Sequence, residues 1–258
     1  MFRLMVCIFI HKGRAEYLEY VLRISRHFNP DYRLILLGDK ENKDIAKEVG
    51  VEFYPISDYT EEIPYHHLSV NNEQYEKFCF ERWFILKRFI KYHNIPQFIH
   101  SDSDNAMCYN INKLPFKESA LGNSSIIVPN VIFLKTETLE KITDFYTNIY
   151  SLSRAEFIER IEGYVHRAYV ISHNTLHYSD MFFLKQAVDE LKIDMIALEQ
   201  TDILDEGNPL IFNPNFNKYD IEYVDGLFFK KGTQCRLFNI HFAGNAKFQA
   251  KLHYNMIQ

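Results

Sequence analysis

The chain has 258 residues, 47% of them apolar, with 22 Phe and 17 Tyr, and a formal charge of −5. Such a composition can bury a sizeable core, which excludes global disorder. Lys and Arg are scattered with no basic arm or stripe, so the electrostatic footprint of a nucleic-acid binder is missing, and an anionic ligand needs a local site or a metal.

The first half alternates short apolar runs with helical stretches. LMVCIFI (4–10) reads as a strand, and EYLEYVLRISRHF (16–28) carries apolar residues at helical spacing. RLILLGD (33–39) is a second strand, DIAKEVG (44–50) a short helix closed by Gly50, and VEFYPI (51–56) a third strand. YEKFCFERWFILKRFIKYHN (75–94) is the longest helix candidate, with Trp83 and Phe84 in the core, and QFIHSD is the strand after it. A polar loop over 58–74 carries Tyr65, His66 and His67. Continuous apolar strands separated by helices predict an α/β fold with a mostly parallel central sheet and helices on both faces. In such sheets ligands bind at the carboxyl ends of the strands.

The second half is less regular. SSIIVPNVIFLK (124–135) holds one or two strands and leads into a helix ending near Tyr150. Ser153 and Glu156 have capping-box spacing for another helix. SDMFFLKQAVDELK (179–192) is a helix with Ser179 or Asp180 at its N-cap, and MIAL (195–198) a strand. Asn-Pro turns follow, then RLFNIHFAG (236–244) as a last strand. With no repeat, low-complexity tract or clear linker, residues 1–258 read as a single domain.

Two stretches carry chemistry. In FIHSDSDNAMC (98–108) a buried strand runs into Asp102 and Asp104, one serine apart. Residues i and i+2 of an extended segment project to one side, so both carboxylates can face one hard divalent cation, which prefers oxygen ligands. In IHFAGNAKF (240–248), His241 adds an imidazole suited to manganese-like metals, Gly244 permits close backbone approach, and Lys247 can meet a phosphate as a point charge. By the strand-end rule, Asp39 and the loop from Ile10 through His11 to Arg14 are candidates for holding nucleoside and ribose.

D-x-D after a strand, with H-F-x-G-x-x-K near the C-terminus, resembles the GT-A glycosyltransferases, especially the glycogenin and lipopolysaccharide galactosyltransferase family. The resemblance implies that Asp102, Asp104 and His241 bind Mn²⁺ or Mg²⁺, which holds the diphosphate of a nucleotide sugar, a UDP-sugar by preference, and that Lys247 contacts that diphosphate. It also implies a donor contact for Arg82, a donor-sugar position for Asn130, and a place beside the reacting carbon for Asp180. If the enzyme inverts, Asp180 is the base; if it retains, as H-x-x-G-x-x-K favours, Asp180 stabilises an oxocarbenium-like centre; a plain N-cap is the structural alternative. The family's usual Pro-Trp after the lysine is Phe248-Gln249 here. His173, His177 and Tyr178 are candidates for lining an acceptor pocket.

The acceptor implied is a glycan, glycolipid or protein hydroxyl. A sugar-phosphate nucleotidyltransferase shares the layout but calls for a glycine-rich loop after the first strand, and FIHKGRAEYL holds only Gly13. A non-catalytic scaffold of the same fold would have little reason to keep all of Asp102, Asp104, His241 and Lys247. Cys7, Cys79, Cys108 and Cys235 form no C-x-x-C pair and read as free thiols. The opening MFRLMVCIFI is too short to span a bilayer, so the expectation is a cytoplasmic protein without a transmembrane segment, at most peripheral at a membrane face.

Overall fold

The apolar runs of the first half become interior strands, and the helices at 16–28 and 43–49 turn apolar residues toward them. The computed structural model describes residues 6–69, 71–113, 120–121, 130–168, 178–197, 204–205, 208–211 and 221–258. In chain order the elements are β1 (Val6–His11), α1 (Glu16–Phe28), β2 (Arg33–Gly38), α2 (Lys43–Val49), β3 (Glu52–Pro55), α3 (Glu73–Tyr92), β4 (Gln97–Asp102), β5 (Asn105–Met107), β6 (Ala120–Leu121) and β7 (Val131–Lys135). There follow α4 (Thr136–Tyr150), α5 (Arg154–Ala168), α6 (Asp180–Glu190), β8 (Ile196–Ala197), β9 (Leu204–Asp205), β10 (Asn208–Ile211), β11 (Ile221–Val224), β12 (Leu227–Lys230), β13 (Arg236–Leu237), β14 (Asn239–His241) and α7 (Ala250–Met256). The chain packs as two compact units. The first comprises Met1–Asp58, Gln97–Leu134 and Ile196–Gln258; the second comprises Tyr59–Pro96 and Lys135–Met195.

The first unit holds a seven-stranded sheet in the order β3-β2-β1-β4-β7-β6-β8. β1 pairs parallel with β2 and with β4, and β2 pairs parallel with β3, while β6 runs antiparallel to β7. The result is a mostly parallel α/β sheet flanked by helices, as the alternating pattern predicts. Cys7, Phe9, Leu34, Leu36 and Ile99 share one hydrophobic cluster with Leu18, Val21 and Leu22 of α1. The alternate residues Ile8, Ile10, Ile35, Leu37 and Phe98 are buried as well, which is why these strands read as continuous apolar runs. The strand order turns back between β1 and β4, where Ile10 and Asp102 are register partners. That reversal opens a crevice at the carboxyl ends of the two strands.

Gly50 closes α2 at φ 74°, the left-handed cap expected of it. The stretch 236–244 is not one strand. Arg236-Leu237 joins a five-stranded sheet in the order β11-β12-β13-β10-β9, whereas Asn239–His241 pairs antiparallel with β5 in a separate ribbon. The chain crosses over at Phe238, whose N–H donates to Ile211 O while its carbonyl accepts Cys108 N–H. Asn208-Pro209 likewise lies in β10 rather than in a turn. The residues 124–129, Leu198 and Asn213-Pro214 lie outside the described residues.

β5 is anchored to α1 by buried polar side chains. Ser25 Oγ donates to Val21 O at 2.8 Å and accepts Met107 N–H at 3.0 Å. One turn later Asn29 Oδ1 accepts Ile111 N–H at 2.9 Å. Both side chains are buried, at 0% and 1% exposure, so the backbone groups they satisfy have no recourse to water.

In the second unit Asn72 caps α3 by accepting Gln74 N–H and Tyr75 N–H, and the helix starts two residues before the position the sequence indicates. Ser153 and Glu156 form the expected capping box before α5, with Glu156 Oε2 accepting Ser153 N–H at 3.0 Å. Phe80, Tyr146, Tyr150, Phe157 and Phe183 join α3, α4, α5 and α6 in one aromatic core. The 58–74 loop is tied to that core: Tyr65 stacks on Tyr150 at 5.6 Å, and His66 Nε2 meets Leu152 O at 2.9 Å. No helix among the described residues is long and apolar enough to cross a membrane. All four cysteines are free.

Replacing Ser25 by Ala leaves the buried Met107 N–H without an acceptor, which costs about 1–3 kcal/mol. Urea unfolding of Ser25→Ala should show that loss as a lower midpoint at an unchanged slope.

Candidate active site

Asp102 is the last residue of β4, Asp104 lies in the turn that leads into β5, and His241 ends β14. The two carboxylates therefore meet through a turn, not through the alternation of one extended strand that the sequence implies. The antiparallel register of β14 on β5 puts His241 opposite Asn105, and Phe242 N–H donates to Asp104 O at 2.8 Å. A ligand atom from each of Asp102, Asp104 and His241 lies within 4.8 Å of the other two.

Beneath these three residues sits a buried polar network. Asn105 Nδ2 donates to Ser101 Oγ at 2.9 Å and to Asn130 O at 3.0 Å, and Asn105 Oδ1 accepts Asn239 Nδ2 at 2.6 Å. Asn130 O also accepts Asp102 N–H at 2.9 Å. Asn130 itself is 2% exposed; its Oδ1 accepts Val131 N–H at 2.8 Å and its Nδ2 lies 3.4 Å from His241 Nδ1. This side chain thus acts on the imidazole. Outer partners of this kind set the orientation of a metal-ligating histidine. On Asp102, His100 lies below, with its Nε2 3.9 Å from Asp102 Oδ1.

Charge is balanced locally. His241 Nε2 is 3.4 Å from Asp104 Oδ1, and Lys247 Nζ is 3.1 Å from Asp104 Oδ2. Burial pushes the Asp104 carboxyl up, but the hydrogen bond and charge of His241, with those of Lys247, outweigh it and hold Asp104 below its ordinary value. For Lys247, burial works downward and is outweighed by Asp104 and Tyr17, which raise it. Gly244, at φ 54°, makes the left-handed turn that brings Lys247 back over Asp104, and an added Cβ there would meet nothing within 4 Å.

The central residue of the D-x-D turn is held too. Ser103 Oγ lies 2.9 Å from His11 Nδ1 and 3.4 Å from Tyr17 OH. His11 is 7% exposed, and its Nε2 is buried without a hydrogen-bond partner. Burial, then the charge of Lys247, lower the His11 pKa and keep the ring neutral. Asp39, at the end of β2, accepts Gly13 N–H through Oδ2 at 2.7 Å, so it shapes the loop after β1. Ile10 is buried in β1 beside Asp102.

In the second unit Arg82 and Asp180 form an ion pair at 2.5 Å, with side chains 12% and 5% exposed. Trp83 Nε1 donates to the same oxygen of Asp180 at 3.3 Å. Ser179 is the N-cap of α6, though its side chain makes no capping hydrogen bond, and Asp180 is the first helical residue. The structure thus brings together two residues for which the resemblance implies separate roles. Tyr178 packs edge-on to Phe182 at 5.4 Å, and His173 and His177 lie outside the described residues.

The sequence matches no family model, and no curated protein matches it. Solved structures do. The chain is similar to mouse xyloside xylosyltransferase 1 in its apo form, at TM-score 0.50 and 13% identity over 76% of this chain and 85% of that one. The fold is that of a GT-A glycosyltransferase. Two further similarities are to the apo WbbM bifunctional glycosyltransferase and to a glycosyltransferase involved in glycosylation of the major capsid of PBCV-1. The first has TM-score 0.49 and 10% identity over 100% of this chain and 52% of that one. The second has TM-score 0.40 and 14% identity over 97% and 99%. Within this GT-A fold, Asp102 and Asp104 stand at the sheet reversal where the D-x-D pattern leads one to look.

Two carboxylates and one imidazole are a fitting donor set for Mn²⁺ or Mg²⁺. The mutual reach of the three ligand atoms is compatible with one such ion. Sequence reading missed Tyr17, Ser103, Asn105 and Asn239. The first two carry no motif, and the asparagines declare themselves only as polar residues in strands too short to call.

The depressed Asp104 carboxyl contributes stability that is present above its unfolded pKa of about 3.9 and is lost as pH falls through the lower folded value. Urea unfolding between about pH 5 and pH 2.5 should therefore show a steeper fall for the wild type than for Asp104→Asn.

Proposed function

We propose that the chain is a metal-dependent glycosyltransferase that moves a sugar from a nucleoside diphosphate donor, a UDP-sugar by preference, to a hydroxyl of a glycan, glycolipid or protein. The observation that carries this reading is the convergence of Asp102, Asp104 and His241 at the strand reversal, with Lys247 on the same carboxylate. Nothing in a purely structural role calls for two carboxylates, an imidazole and an ammonium at one strand edge.

In the transfer, the bond from the anomeric carbon to the diphosphate oxygen breaks and its electron pair leaves with the diphosphate. The acceptor oxygen bonds to the anomeric carbon, and its proton passes to the departing diphosphate oxygen. The barrier is the charge that grows on the leaving diphosphate. Asp102, Asp104 and His241 would hold the divalent ion, which when bound supplies Lewis-acid stabilisation of that charge and orients the donor. Lys247 adds a point charge whose benefit increases as the bond breaks. Asn130 keeps His241 oriented, and the Asp39-braced loop with His11 offers backbone and ring groups to the nucleoside. The H-x-x-G-x-x-K arrangement favours retention at the anomeric carbon. Asp180, in an ion pair with Arg82, is the residue the resemblance implies beside the reacting carbon.

Calorimetric titration with UDP, with and without Mn²⁺, tests the donor reading. Binding should require the metal, vanish with EDTA and be lost in Asp104→Ala; a folded wild type that binds no nucleoside diphosphate under any of these conditions overturns it. Asp180→Asn should abolish transfer and leave UDP affinity intact, whereas joint loss of both assigns Asp180 to the packing of its own unit.

A further inference from the structure

Lys247 stands where a cation is wanted. Its ammonium contacts Asp104 Oδ2 at 3.1 Å and lies 4.9 Å from the centroid of the Tyr17 ring. The other oxygen of Asp104 faces His241 Nε2 at 3.4 Å. Both oxygens of the second D-x-D carboxylate are thus occupied from within the chain. A divalent ion bound by Asp102, Asp104 and His241 must take over at least one of those oxygens, and it repels an ammonium that sits 3.1 Å from the same carboxylate.

Tyr17 decides where that ammonium can go. Its ring lies under Lys247, its hydroxyl is 3.4 Å from Ser103 Oγ, and the ring of His11 meets it edge-on at 5.8 Å. One side chain of α1 therefore touches the end of β1, the D-x-D turn and the C-terminal lysine. The face of an aromatic ring attracts an ammonium without demanding one fixed geometry. The lysine can leave Asp104 and remain on the ring.

We infer that Lys247 is the resident counter-ion of Asp104, that it exchanges this carboxylate for a diphosphate oxygen when the divalent ion binds, and that Tyr17 is the positioning residue holding it in reach of both. The inference rests on the donor reading above and adds a coupling to it: the lysine opposes the metal alone and supports the diphosphate afterwards. A lysine that served only the phosphate would leave metal affinity unchanged when removed. One that served only the fold would weaken both ligands together.

The test titrates MnCl₂ into the metal-free protein, then UDP at saturating Mn²⁺, for wild type, Lys247→Met, Tyr17→Phe and Tyr17→Leu. Lys247→Met should bind Mn²⁺ about threefold tighter, the worth of a half-exposed ion pair, and UDP about tenfold more weakly. Tyr17→Phe, which keeps the ring, should follow the wild type in both titrations within about twofold, whereas Tyr17→Leu should weaken UDP about fivefold. Mn²⁺ affinity in Lys247→Met equal to or below that of the wild type overturns the exchange, and wild-type UDP affinity in Tyr17→Leu overturns the positioning role. Lys247→Gln gives the same reading if the Met variant does not fold. A wild type that binds neither Mn²⁺ nor UDP removes the donor reading and this inference together; a wild type that binds both, with Lys247→Met unchanged, removes the inference alone.

Discussion

The hydrogen bond from Asn239 Nδ2 to Asn105 Oδ1, 2.6 Å long and buried, ties the C-terminal strand to the strand that follows the D-x-D turn. Each amide is costly to bury alone and each satisfies the other. The same Asn105 also reaches Ser101 and the Asn130 carbonyl, so one side chain links β4, β5, β14 and the approach to β7. If that network slipped by one residue, His241 would turn to the opposite face of its strand and the three candidate ligands would part. The chemistry at the surface depends on polar order in the interior.

Charge at the site is arranged so that the protein tolerates the carboxylates before any ligand arrives. Asp104 is 16% exposed and carries two internal partners, an imidazole and an ammonium. A buried charge left unpaired would be expensive. The lysine is 39% exposed, so its bond to Asp104 is screened by solvent and contributes little. Tyr17 beneath it provides a second place of low energy. His11, neutral and buried, and Ser103 hold the turn itself, leaving the two aspartates as the charged groups of that turn.

The second unit follows a different logic. Its core is aromatic, with Phe80, Tyr150 and Phe183 in mutual contact, and the ion pair of Arg82 with Asp180 lies at the first residue of α6. Removing either partner would strand the other in a nearly water-free place. The 58–74 loop is held on the aromatic core through Tyr65 and His66.

Much of this was legible in the chain itself, because hydrophobic periodicity is a local property. The strands at 6–11 and 33–38 announce themselves as nearly uninterrupted apolar runs, and Gly50, Ser153 and Glu156 mark helix ends by their own conformational preferences. Asp102, Asp104, His241 and Lys247 stand out because their residue types and spacing match one chemistry. What only the tertiary structure decided is how Asp104 and His241, separated by most of the fold, come face to face. That required the 236–244 stretch to break at Phe238 and change sheets, pairing with β10 on one side and with β5, more than 100 residues away in sequence, on the other. Asn130 turning toward His241, Tyr17 lying under Lys247, and Arg82 closing on Asp180 were likewise settled by packing. No pattern along the chain records which distant side chain will be nearest.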